Sequence, residues 1–206
     1  MSEAHPNARL EAFCDGVFAI AITLLVIELK ISDPESIHSN ADFWQMLKHM
    51  VPAILAFVLS FIIILIAWVN HHNAIKLVNK SSPSFIYANG FLLLTVAFIP
   101  FPTSLLGEFI STDHAAPAVV LYNVTLSLQA LGWILMTNTA LSTHLDKSER
   151  ANKMIRKNGT FGYFACILYA ILAVLALWFP VTVAVITCIT WVFWLIYGIS
   201  IKHEEA

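Results

Sequence analysis

Six long apolar blocks, with short polar intervals between them, constrain this chain more than any other feature. They run approximately from Leu10 to Ile31, Phe43 to Asn70, Phe85 to Leu106, Ala116 to Leu141, Phe161 to Phe179 and Val181 to Ile201. A block of about 20 apolar residues crosses a hydrocarbon layer of about 30 Å as a helix. Composition agrees: 59% of the 206 residues are hydrophobic and 12% are charged, about half the charge of a soluble domain. Mean hydropathy is +0.78. No segment alternates in polarity as a barrel strand does. The expectation is an all-α integral membrane protein with six transmembrane helices, forming a single domain over residues 1–206. A net charge of −2 gives no hint of nucleic-acid binding.

Charge placement orients the spans. With the N-terminus inside, the inner segments hold Arg9, Lys76, Lys80, Lys147, Arg150, Lys153, Arg156, Lys157 and Lys202. The outer segments hold only Lys30 and Lys48. Nine against two places both termini in the cytoplasm. The first span lacks a cleavage signal and is expected to be retained. Proline marks several ends: Pro52 opens the second span, Pro100 and Pro102 kink or end the third, and Pro180 separates the last two. The charged stretch "THLDKSERANKMIRKN" reads as a solvated linker. Cys14, Cys166 and Cys188 are odd in number and lie in apolar runs, so they read as small packing residues.

The first span, "RLEAFCDGVFAIAITLLVIELK", has two faces. On a wheel centred on Ile20, the residues Phe13, Gly16, Val17, Leu24, Ile27 and Ile31 all fall within about 60°. Thr23 lies on the edge of this stripe. Asp15 and Glu11 fall on the far side. Carboxylates inside a membrane are expensive and usually have a partner. "IAWVNHHN" supplies one, because Trp68, His71 and His72 share a face at i, i+3, i+4 spacing. Antiparallel packing of the first two spans brings Asp15 to the depth of this cluster, where an imidazole or the Trp68 indole can donate to it. Glu28 reads as an interfacial acid at the outer mouth. Adjacent histidines point about 100° apart, so no metal site is expected there. No nucleophile or metalloprotease motif is present, and no enzyme is expected. "GTFGYF" departs from the TVGYG potassium filter at two positions and reads as ordinary helix.

Arg9, Phe13, Cys14, Asp15 and Gly16, followed by "VFAIAITLLVIE", closely resemble the first-helix signature of the transmembrane protein 175 family. "AWVNHHN" resembles the Trp-x-x-His-His pattern of that family's second span. The chain departs at Cys14, where the family has Ser. The resemblance implies a potassium-permeable cation channel in a bacterial plasma membrane, with one copy of the six-span unit per chain and hence a homotetramer. It implies a pore lined by the first helix. Ile20, Leu24 and Ile27 would be its constriction and Thr23 its selectivity layer, with modest preference for K+ over Na+. Arg9, Phe13, Asp15, Trp68, His71 and His72 would form the network that holds the pore helix. K+ is the permeant ion, and no cofactor is implied. A secondary transporter, or a proton pathway through Asp15, His71 and His72, is the competing reading.

Overall fold

The computed structural model describes residues 6–30 and 37–203, with side chains through Ile196 in the last helix. Every regular element among them is helical: α1 (Ala8–Ile27), α2 (Asn40–His49), α3 (Val51–Lys76), α4 (Pro83–Phe98), α5 (Pro100–Phe109), α6 (Ala115–Ser142), α7 (Glu149–Leu175) and α8 (Pro180–His203). Five stretches are long and apolar enough to cross a membrane, with α4 and α5 together making one of them. α8 is apolar over its described side chains, Pro180–Ile196. The protein is therefore a multi-span helical membrane protein.

Several boundaries differ from the expectation. The first span ends at Ile27, with Glu28–Lys30 in a turn; Ile31 lies outside the described residues. The second block divides. Ser39 caps α2 through its hydroxyl on the Asp42 amide, and α2 buries none of its residues. Pro52, in the first turn of α3, has no amide to continue the α2 ladder, so the helix restarts after Met50. α3 then runs on to Lys76, which keeps His71 and His72 inside a helix. Pro100 kinks the third span but does not end it, because α5 continues to Phe109.

The largest correction concerns "THLDKSERANKMIRKN". Only its first residues are a link. Ser148 caps α7 on the Ala151 amide, and Glu149–Asn158 form the first turns of that helix. "GTFGYF" lies well inside α7. Gly162 faces Ile134 on α6, where an added Cβ would come within 3.1 Å of the Ile134 side chain. Such small residues let membrane helices approach closely. Gly107 does the same over Ala53, and Gly132 over Leu92.

α6 is the hub, pairing most extensively with α7 and then with α4. Buried hydroxyls tie the bundle within the apolar layer. Thr103 Oγ1 donates to Ser60 Oγ (2.7 Å), which pairs with Tyr122 OH (3.0 Å), joining α5, α3 and α6. Thr187 of α8 donates to Asn123 of α6 (3.0 Å). Where water is absent, each such bond spares a desolvated polar group. At one end of the bundle, Asn79 donates to the Leu145 carbonyl and Lys147 to the Leu77 carbonyl. The Asn7 amide donates to Val78 O (3.1 Å). These three bonds clamp the start of α1 to the links after α3 and α6.

Candidate functional site

Among the described residues, α1 is packed on one face. Cys14, Phe18, Ala21 and Leu25 recur at helical spacing and are buried, against α3, α4 and α5. The opposite face carries Phe13, Gly16, Ile20, Thr23, Leu24 and Ile27, all exposed. Ile20 is 60% exposed and Ile27 65%. A Cβ built on Gly16 meets nothing within 4 Å. Val17, at the stripe's edge, leans partly into the core. Thr23 directs its hydroxyl proton back to its own helix, to Ile20 O (2.9 Å) and Ala19 O (3.1 Å). Its oxygen keeps acceptor capacity on the open side.

A polar cluster fixes the rotation of α1 near its start. The Trp68 indole donates to Asp15 Oδ1 at 2.8 Å. His72 Nδ1 lies 2.8 Å from Glu11 Oε1. The geometry of this contact is not that of a hydrogen bond. His71 turns inward, with Nε2 2.7 Å from Asn89 Oδ1. The Asn89 amide donates onward to Cys14 Sγ at 3.1 Å. The arrangement is consistent in direction, because the imidazole N–H gives, the amide oxygen accepts, and the amide nitrogen gives to sulfur. Phe18 and Trp133 flank the His71 ring, with centroids 5.3 Å and 6.2 Å away. The Trp68 ring stacks on His72. Glu11 also sits in the first turn of α1, where the helix dipole favours a negative charge.

Of the residues singled out from the sequence, Asp15, Trp68, His71 and His72 come together. Arg9 and Phe13 do not join them: both are exposed, on the side away from the cluster. Their angular position explains this, since Phe13 lies about 20° from Ile20 on the wheel. Three participants were not anticipated. Asn89 is a lone polar residue in an apolar run and carries no spacing signal. Trp133 is likewise single. Cys14, which the sequence marks as a small packing residue, also accepts a hydrogen bond through its sulfur. Glu28 stands 4.0 Å from Lys30 at the other end of α1. Among the described residues, no three His, Cys, Asp or Glu side chains are placed to hold a metal ion.

Fold and site together define a polytopic helical membrane protein whose first helix is pinned on one face and unfilled on the other. A family profile described as "Endosomal/lysosomal potassium channel TMEM175" matches residues 9–100, which span the whole cluster except Trp133. A protein of Streptomyces collinus named a potassium channel is 36% identical over 167 residues, covering 77% of this chain and 80% of its own. One from Chamaesiphon minutus, also named a potassium channel, is 45% identical over 120 residues, covering 58% of this chain and 59% of its own. The crystal structure of a lysosomal potassium-selective channel TMEM175 homolog from Chamaesiphon minutus superposes with a TM-score of 0.80 at 32% identity. It covers 93% of this chain and 97% of that one. The chain belongs to the transmembrane protein 175 family.

Proposed function

We propose that the protein is a potassium-permeable cation channel of a bacterial plasma membrane, a homotetramer whose pore is lined by α1. The observation that carries this reading is the unfilled face of α1. Ile20, Leu24 and Ile27 form a row of bulky apolar side chains that the chain's own helices leave uncovered. A lone row cannot enclose a pore, but four copies around an axis can. The bacterial relatives named potassium channels support the ion. In this reading α8 is the sixth span and both termini are cytoplasmic, in keeping with the charge bias.

Four Ile20 side chains crowding the axis exclude water, and gating proceeds by wetting as α1 tilts or rotates. Leu24 and Ile27 add rings about 6 and 10 Å further along at 1.5 Å per residue. No carbonyl cage replaces the hydration shell. Preference for K+ over Na+ is therefore modest, arising from hydration cost and from acceptor oxygens at Thr23. The cluster of Asp15, Trp68, His71, Asn89 and Cys14 holds the helix at the azimuth that aims the row inward. A proton pathway through it is disfavoured on chemical grounds. The Trp68 indole only donates, and the Asn89 amide would have to invert to relay a proton. Among the described residues, no pair of broken helices in matching halves favours a transporter.

The test is cation flux from proteoliposomes with Ile20→Asn alongside. An amide at the constriction lowers the dewetting barrier. Basal K+ flux should rise on the order of tenfold, the factor given by ~1.4 kcal/mol off a barrier, and K+ over Na+ discrimination should fall. Flux and selectivity identical to the parent in a correctly assembled variant would remove Ile20 from the constriction.

A further inference from the structure

The start of α7 carries an inference that needs only that this helix crosses a membrane. Because Ser148 caps α7, Arg150, Lys153, Arg156 and Lys157 stand on helical register with the apolar part of the same helix. At 100° per residue, Lys153, Lys157, Thr160, Phe164, Ile167, Ile171 and Leu175 fall within about 40° of one line, and all are exposed. The opposite face, Ala151, Ile155, Gly159, Gly162, Ala165 and Tyr169, is buried. One outward stripe thus changes from basic to apolar at Thr160. Phe164, Ile167 and Ile171 are each more than half exposed.

The change marks the edge of the hydrocarbon. From Phe161 to Trp178 the chain is apolar and, at 1.5 Å per residue, spans about 26 Å. Lys157 and Arg156 then lie roughly 5 and 6 Å outside Thr160, and Lys153 about 10 Å. The headgroup layer is about 5–8 Å thick on each side, and Lys and Arg stems reach along apolar surface to place their charge within it. Beside them Asn138 of α6 donates to Tyr163 OH at 2.8 Å, on the exposed seam between α6 and α7. Glu149 pairs with Lys153 at 3.2 Å, the side chains 86% and 75% exposed, where such a pair is weak and easily exchanged. Arg156 donates its Nε–H to Asn152 Oδ1 at 2.8 Å, and a guanidinium has four further N–H donors.

We propose that the exposed seam at the basic end of α7, formed by Lys153, Arg156 and Lys157 above Tyr163 and Phe164, is a binding site for an anionic phospholipid. The phosphate meets the cations and the acyl chains lie along Phe164, Ile167 and Ile171. Basic residues that serve only to orient a span during insertion give no lipid discrimination in the folded protein; a headgroup site does.

The experiment uses the full-length protein, purified in neutral detergent and stripped of lipid. Retention by native mass spectrometry and the shift in Tm are read with phosphatidylglycerol, phosphatidylcholine and glycerol phosphate. With about a fivefold gain per basic side chain near an anionic surface, preference for phosphatidylglycerol over phosphatidylcholine is on the order of a hundredfold. It collapses to a few-fold in the Lys153→Gln/Arg156→Gln/Lys157→Gln variant and survives in Lys76→Gln/Lys80→Gln. Should the triple variant fail to accumulate, Arg156→Gln alone gives the same reading at reduced size. Equal retention of the two lipids, preference kept in the triple variant, equal loss in the Lys76/Lys80 variant, or a full response to glycerol phosphate alone would each overturn the proposal.

Discussion

Asn89 joins helices that nothing in its local sequence connects. Its amide oxygen accepts from the His71 imidazole N–H and its amide nitrogen donates to Cys14, so one side chain satisfies two buried groups. Asn89→Leu leaves the imidazole N–H without an acceptor in an apolar setting, and should cost about 1–3 kcal/mol. Thermal unfolding of the reconstituted protein measures it. Cys14→Ser should be nearly neutral, within about 1 kcal/mol, because a hydroxyl oxygen accepts as the sulfur does. A large loss there would mean that the volume of the sulfur, and not its lone pairs, matters. Asp15→Ala strips the Trp68 indole of its acceptor and frees the azimuth of α1. It should reduce recovery of the assembled protein more than it changes ion preference, as size-exclusion and flux measurements would report. Asp15 and Trp68 were legible as partners because both lie on marked faces of neighbouring antiparallel helices. Asn89 was not, since a single amide in "IYANGFLLL" has no periodicity to betray its direction.

Among the elements, the helix starts that went unread were the polar ones. Ser39 with Asp42, and Ser148 with Glu149, are capping patterns. They were hidden because hydropathy measures transfer into lipid and is blind to helices that form in water or in headgroups. In α2 the Asp42 carboxyl is held below the usual carboxylate range by the Ser39 hydroxyl and then by the His38 amide. A depressed folded pKa stabilises above the unfolded value and is lost as pH falls through the folded one. Amide exchange in α2 should therefore stay slow through neutral and mildly acidic pH and quicken only in strong acid, whereas Asp42→Asn should quicken it throughout. At the end of α6, His144 adopts φ 52°, with Leu145 N bonded to Ala140 O and His144 N to Leu141 O. This is a Schellman ending with histidine in the position that glycine usually takes. His144→Gly should raise stability by roughly 1 kcal/mol; a lower Tm would show that the imidazole makes a compensating contact. Gly132→Ala should do the reverse, since its Cβ would meet Leu92 Cα at 2.9 Å. Overpacking of this kind costs about 1–3 kcal/mol.

At the scale of the molecule, apolar block length was enough to reveal a membrane-embedded helical bundle, because crossing lipid leaves few other solutions for the backbone. Block boundaries were less legible, since Pro52 and Pro100 redirect helices without ending the apolar run. The wheel of α1 separated an apolar stripe from an acid-bearing face, but not a covered face from an uncovered one. The structure supplies that distinction: Cys14, Phe18, Ala21 and Leu25 are buried where α1 packs on α3, α4 and α5, while Phe13, Ile20, Leu24 and Ile27 stay exposed among the described residues. That uncovered face is the central claim, and thiol modification tests it most directly. Cysteines are introduced singly at Ile20, Ile27 and Ile167, an exposed position on α7, in a background with Cys14, Cys166 and Cys188 replaced by Ser. Potassium flux is then followed as a charged, membrane-impermeant thiol reagent is added. Block at Ile20→Cys and Ile27→Cys with no effect at Ile167→Cys is the predicted result. Undiminished flux after complete modification at both α1 positions would contradict a pore lined by this helix.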